Sequence, residues 1–306
     1  MKQDTNDELK SLIRGRISFG VPMAKYTSMG VGGRADALAL PQDEEDLKVI
    51  LQFARERAIP YYILGEGTNV IVRDGGLRGI VISLSRGFRR IKIVDRNGKE
   101  VLISAEAGVS LKHLVRFAKE RNLTGLEAFS GIPGTLGGAL AMNAGAFGSE
   151  ISDVVKSVDM MDETGTVVLK QKKNLRFHYR NLILPKGAII LRGILGVTEA
   201  KGGEIRAKVE RFQKLRFQSQ PWNVPTAGSI FKNPEGAPAG QLIDELGLKG
   251  YRIGDARISE KHGNFIVNDG DATAAEVLAL MAFIRDEVYE KRGIRLTPEV
   301  HIIGEG

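Results

Sequence analysis

From residue 130 to 148 the chain reads SGIPGTLGGALAMNAGAFG, six glycines in nineteen residues. That density excludes a regular strand or a long helix and requires tight turns where backbone approaches something closely. Glycine is abundant throughout, 37 of 306 residues, against an average of roughly 7%. The excess is clustered, with MGVGG at 29–33 and GEGTN at 65–69 preceding the long stretch, so neither a collagen period nor a disordered linker fits. Gly131, Gly134, Gly137 and Gly138 can offer backbone N–H groups to an anion beside a short helix predicted over 136–143, with Pro133 and Thr135 as its starters. Taken alone, these glycines fit either an anion cradle or a packing junction that binds nothing. Gly65 and Gly67 follow a predicted strand as in a dinucleotide-binding fingerprint. However, Val70 replaces the third glycine and VIV replaces the helix, which excludes a Rossmann fold.

Around these loops the pattern is mixed. Asp43 caps a helix predicted over 43–58 with Leu47, Ile50, Leu51 and Ala54 on one face. Strands are predicted over 61–64, 70–72, 79–84, 188–197 and 265–267, and near 300–303. Hairpins are predicted at Asn97-Gly98 and at 163–165. Ser110 caps a helix to about 121. A helix over 204–218 has Ile205, Val209, Phe212 and Leu215 on one side. Helices over 238–246 and 273–292 end at Gly247 and Gly293. Helices and strands alternate without a βαβ rhythm, so the fold class is α+β, with a change of character near residue 200. The length predicts two or three subdomains.

Composition narrows the function. No apolar run reaches the roughly 18 residues of a membrane helix, and the N-terminal MKQDTNDELKSLIRG has no apolar core of a secretory signal. Cysteine is absent, which excludes disulfides and thiolate catalysis and fits a reducing, cytoplasmic setting. The four histidines, His113, His178, His262 and His301, lack metal-ligand spacing, so no metal site is expected. The net charge of +7 sits in short patches, Lys170–Arg180 and Arg206–Arg216, rather than a dense basic stripe with aromatics. That pattern argues against nucleic acid and fits either a solvated helix face or a funnel for small polyanions.

Seven segments in order carry a family resemblance: TSMGVGGRAD (27–36), LGEGTNVIVRDGG (64–76), the 130–148 stretch, FHYR (177–180), AGSIFKNP (227–234), KHGNFIVN (261–268) and TPEVHIIG (297–304). Together they resemble the UDP-N-acetylenolpyruvoylglucosamine reductases, the MurB family, across nearly the whole chain. The first three also resemble the FAD-binding region of the wider PCMH or vanillyl-alcohol-oxidase-type flavoproteins. The resemblance implies two FAD-binding subdomains over 1–84 and 85–198 and a C-terminal α+β substrate domain over 199–306. It implies FAD held by Gly65, Gly67, Thr68 and Asn69, by Ser130, Gly131, Ile132, Pro133, Gly134 and Thr135, and by Gly137, Gly138, Asn143, Ala144 and Gly145. With no cysteine and no histidine in the glycine loops, the FAD is expected to be non-covalent.

The implied reaction passes hydride from NADPH to FAD and on to UDP-N-acetylglucosamine enolpyruvate, giving UDP-N-acetylmuramate for peptidoglycan. Ser229 matches the proton donor, Arg180 the arginine that stabilises the substrate carboxylate, and Glu299 the catalytic glutamate. Tyr179, Lys232 and Asn233 match the substrate site, whereas Asn264, Asn268 and His262 are expected to be structural. The family usually carries a serine where this chain has Leu182. Only 26 residues, 235–260, separate AGSIFKNP from KHGNFIVN, as in the short form without a tyrosine-bearing loop. A monomer is expected. A flavin oxidase of the same superfamily shares the N-terminal loops but has no reason to carry FHYR, AGSIFKNP and TPEV together. A non-enzymatic nucleotide module needs no ordered Ser, Arg and Glu.

Overall fold

The computed structural model describes residues 3–306; Met1 and Lys2, which open the polar N-terminal stretch, lie outside the described residues. The chain groups into two compact units, each built from separated segments. The first takes the chain through Phe19, Ala37–Glu66 and Gly79–Leu215. The second takes Gly20–Asp36, Gly67–Arg78 and Arg216–Gly306. Both mix helices and strands, as the α+β reading expects.

The first unit is organised by an antiparallel sheet in the order Val167–Gln171, Val155–Met161, Ile189–Glu199, Glu100–Glu106, Ile91–Asn97, with Leu123–Thr124 paired beside Ile189–Glu199. Its central strand turns Ile189, Leu191, Leu195 and Val197 inward at every second position, the period a pleated strand imposes. Asn97 pairs with Glu100, so the hairpin loop is Gly98-Lys99, one residue later than the sequence predicts, with Gly98 at φ +58°. A second sheet runs Arg16–Pro22, Arg34–Leu40, Leu77–Ser83, Tyr61–Leu64, and three of its strands carry the chain across the unit boundary.

The Glu44–Glu56 helix starts where Asp43 accepts the Asp46 N–H, and it buries all four residues of its predicted face. In Gly202–Ser219 the prediction fails at one position. Ile205 and Val209 are buried, but Leu215 is 39% exposed and Arg216 takes the inward place.

The second unit has its own core around Phe231, Ile266, Leu280 and Ile284. Its antiparallel sheet runs Thr226–Ser229, Phe265–Asn268, Ala256–Ile258, Arg252–Ile253. The long helix Ala274–Arg292 has a Thr273–Glu276 capping box, and Gly293 stops it at φ +69°. Asp74 also reaches this helix start, accepting from Ala274 N at 2.9 Å and Ala275 N at 2.8 Å. Val70–Val72 lies parallel to His301–Ile303, which joins GEGTN to the chain's last strand.

Candidate active site

Gly65, the 130–138 loop, residues 143–145, Tyr179 and Arg180 belong to the first unit. Gly67, Thr68, Asn69, Ser229, Lys232, Asn233 and Glu299 belong to the second.

In the first unit, Thr135 caps the six-residue helix Leu136–Ala141, its Oγ1 accepting from Gly138 N at 3.4 Å. The helix is shorter than predicted because Asn143 turns into the left-handed region at φ +42°. The expected row of exposed N–H donors is corrected by the structure at three of its four glycines, Gly134, Gly137 and Gly138. Gly137 N donates to Ala107 O at 2.8 Å, Gly134 N to Glu66 Oε2 at 3.1 Å, and Gly138 N to the capping hydroxyl. The glycines here serve close approach instead: a Cβ on Gly65 would lie 2.9 Å from Thr135 Oγ1, and one on Gly137 2.9 Å from Ala107 Cβ.

An apolar cavity of ≈ 150 Å³ lies against the loop, walled by Gly65, Leu84, Thr135, Gly138, Leu184 and Ile189. Gly138, whose absent Cβ has only Thr135 Oγ1 within 4 Å, leaves its side open. A hydrophobic pocket bordered by Cβ-free backbone suits part of a flat ring system, so these residues fit the ring portion of FAD.

Tyr179 and Arg180 form the two-residue turn between Arg176–His178 and Asn181–Ile183. Arg180 stands at φ +55°, its Nη2 donates to Gly145 O at 3.1 Å, and its guanidinium lies 4.8 Å from the centre of the Tyr179 ring. Leu182, in place of the family's serine, is buried in the first core, so this position packs rather than hydrogen-bonds.

In the second unit the predicted residues converge on one ladder. Glu299 N donates to Ile230 O at 2.8 Å and Lys232 N to Thr297 O at 2.9 Å, so 229–232 and 297–299 run side by side. Ser229, Lys232 and Glu299 therefore share one scaffold. Asn69 fastens it: its Nδ2 donates to Glu299 O at 3.2 Å and its carbonyl accepts from His301 N at 3.0 Å. Ser28 fastens the other end, donating from N to Gly67 O at 3.0 Å and from Oγ to Thr226 O at 2.6 Å. Thr68 O comes within 3.9 Å of where a Gly228 Cβ would stand, beside Ser229. Gly67 has φ +64°, and any Cβ there would fall on Tyr26 O, so only glycine fits the turn.

Asn233 Oδ1 accepts from Ala239 N at 3.0 Å and so caps the Ala239–Glu245 helix. Asn264 and Asn268 are structural, as expected. Buried Asn264 accepts from Phe231 N at 2.9 Å and donates to Phe231 O at 2.7 Å; Asn268 donates to Met29 O at 3.1 Å. His262 accepts from Asn264 N at 3.1 Å, and burial, then the Lys249 charge, holds its imidazole below the usual value, in the neutral form this bond needs. Sequence reasoning left Ser28 and Glu66 without a role. Both lie in quoted glycine motifs, and a polar residue beside a turn glycine is the only signal for them.

Among the described residues, no cluster of three or more His, Asp or Glu side chains is arranged to hold a metal ion. No described helix is long and apolar enough to cross a membrane.

Comparison with known proteins adds to this geometry. Residues 35–169 match the family described as FAD binding domain, and residues 220–303 match the C-terminal domain of UDP-N-acetylenolpyruvoylglucosamine reductase. The chain is 46% identical over 299 residues to the UDP-N-acetylenolpyruvoylglucosamine reductase of Syntrophus aciditrophicus (98% of this chain, 96% of that one). It is 43% identical to that of Clostridioides difficile (97% and 96%). The crystal structure of the Thermus caldophilus enzyme superposes with a TM-score of 0.80 at 37% identity, covering 95% of this chain and 99% of that one.

Proposed function

The chain belongs to the UDP-N-acetylenolpyruvoylglucosamine reductase family, and on that footing we propose that it reduces UDP-N-acetylglucosamine enolpyruvate to UDP-N-acetylmuramate with NADPH, in peptidoglycan precursor synthesis. The glycine loops at 65–69, 130–138 and 143–145 would hold FAD without a covalent link, and the bound group would supply the hydride chemistry that links NADPH to the β-carbon of the enol ether. The overall change consumes one hydride and one proton. This chain's residues manage the charge and the proton. As hydride arrives, charge develops from the α-carbon into the substrate carboxylate, and the planar Arg180 guanidinium pairs with that carboxylate. Ser229 Oγ gives its proton to the α-carbon, a transfer that a weak acid can make because the carbanion is far more basic. Glu299 holds the substrate's carboxyl end or the proton relay, and Lys232 takes the diphosphate. The protein works as a cytoplasmic monomer.

The observation that carries this reading is the pairing of 229–232 with 297–299, which sets a hydroxyl, an ammonium and a carboxylate from distant sequence on one scaffold. The test is anaerobic NADPH consumption by the purified yellow protein, with and without UDP-N-acetylglucosamine enolpyruvate. Multiple turnovers are expected only with that substrate; consumption that ignores it would overturn the reading.

A further inference from the structure

Within the first unit, the glycine stretch and the hairpin that carries Arg180 are tied together. Asn143, only 1% exposed, uses its whole amide in the tie. Its Nδ2 donates to His178 O at 3.0 Å and to Glu150 Oε2 at 2.7 Å, and its Oδ1 accepts from Ser152 N at 3.2 Å. His178 is the residue before the Tyr179-Arg180 turn and pairs with Asn181 after it. Two residues beyond Asn143, Gly145 O accepts from Arg180 Nη2 at 3.1 Å. A Cβ on Gly145 would stand 2.7 Å from Ser149 O and 3.2 Å from Arg180 Nη1. Arg180 itself sits at φ +55°, a left-handed conformation that strains a non-glycine residue and needs outside support.

We infer that Asn143 is a positioning residue for the reduction. Through His178 O and the adjacent Gly145 it fixes the Tyr179-Arg180 turn, so the segment that follows the cofactor helix also aims the guanidinium. The inference rests on the reading of Arg180 as partner of the substrate carboxylate. It assigns Asn143 and Gly145 to the presentation of that arginine.

Asn143→Asp keeps the size and one acceptor but turns an oxygen toward His178 O and Glu150. The KM for UDP-N-acetylglucosamine enolpyruvate and the rate of flavin reoxidation by it are measured on holoenzyme, in the wild-type and the Arg180→Ala backgrounds. In the wild type the substitution should raise KM or slow reoxidation by about tenfold or more, beyond any change in flavin reduction by NADPH. In the Arg180→Ala background the further loss should stay within about twofold, because residues acting through one another are not additive. Equal losses in both backgrounds, or a wild-type loss within about twofold, overturn the inference. Wild-type substrate reduction by Arg180→Ala alone sinks the reading of Arg180, and the inference with it. Should Asn143→Asp yield no soluble holoenzyme, Gly145→Ala, whose Cβ presses on Arg180 Nη1, is read in the same two backgrounds by the same criteria.

Discussion

The 130–148 stretch and the ladder of 229–232 with 297–299 are built in opposite ways. In the stretch, side chains are missing at the six glycines and the backbone is pinned: Gly134, Gly137 and Gly138 each donate within the protein, and Gly65 and Gly137 approach their neighbours too closely for a Cβ. In the ladder the backbone pairing is ordinary, and what matters is which side chains it projects. A cofactor that remains bound is well served by a shape, since protein groups only border and orient it. A substrate that comes and goes while charge develops needs charged and proton-bearing groups at set points. The same contrast decides what a sequence shows, because a shape made by omitting side chains leaves a compositional mark and a ladder leaves none.

The largest effect that sharpens this contrast falls in the ladder. Ser229→Ala is expected to lower substrate-dependent turnover by about 10²–10⁴-fold, the usual worth of a general acid, with FAD content kept. Loss of FAD instead would break the division between the two regions. Next, Arg180→Lys exchanges a planar fork for a point charge and should cost roughly 10²-fold in substrate reduction, read from steady-state rates at saturating NADPH.

Packing variants come third and separate the regions by stability. Asn264→Ala strands the buried Phe231 N–H and C=O and should destabilise by about 2–4 kcal/mol. Gly137→Ala overpacks against Ala107 and should cost about 1–3 kcal/mol and raise the FAD dissociation constant. Denaturant unfolding of the apoprotein and an FAD titration check both. FAD affinity that falls for Asn264→Ala and not for Gly137→Ala would reverse the assignment.

The smallest effect is in pH. His262 in the second unit is held below the usual 6.5 by burial and by Lys249, so its neutral form stabilises fully above that value, and the contribution fades as pH falls through the folded value. Asp46 in the first unit is pushed up by burial. The N–H groups of Arg14, Gln42 and Gly15 and the Arg14 side chain outweigh this and hold it below 3.8, so its contribution persists until more acid conditions. Hydrogen exchange on slow acidification should therefore show Ile230 and Asn264 amides losing protection before Arg14 and Gly15 amides.

Much of the architecture was legible because its causes are local. Asp43, Ser110 and Thr135 are all observed caps, and Gly293 stops its helix in the left-handed region. The misses have physical reasons. Leu215 fits the helical period, but the helix turns Arg216 inward instead, which no period encodes. The expectation of free N–H donors failed at Gly134 and Gly137 because their partners, Glu66 and Ala107 O, lie far away in sequence. For the site, Arg180, Ser229 and Glu299 emerge only through the motif resemblance. Taken singly they are a turn arginine, a loop serine and a glutamate after proline. The Asn69 bond that locks Glu299 in place spans 230 positions and has no local trace.

The division of labour is tested most directly by anaerobic double-mixing stopped flow on the Ser229→Ala holoenzyme beside wild type, following the flavin absorbance. The predicted result is flavin reduction by NADPH at close to the wild-type rate, then reoxidation by UDP-N-acetylglucosamine enolpyruvate slowed about 10²–10⁴-fold. Equal slowing of both steps, or unimpaired reoxidation, would contradict the assignment of the substrate's proton to the second unit's ladder.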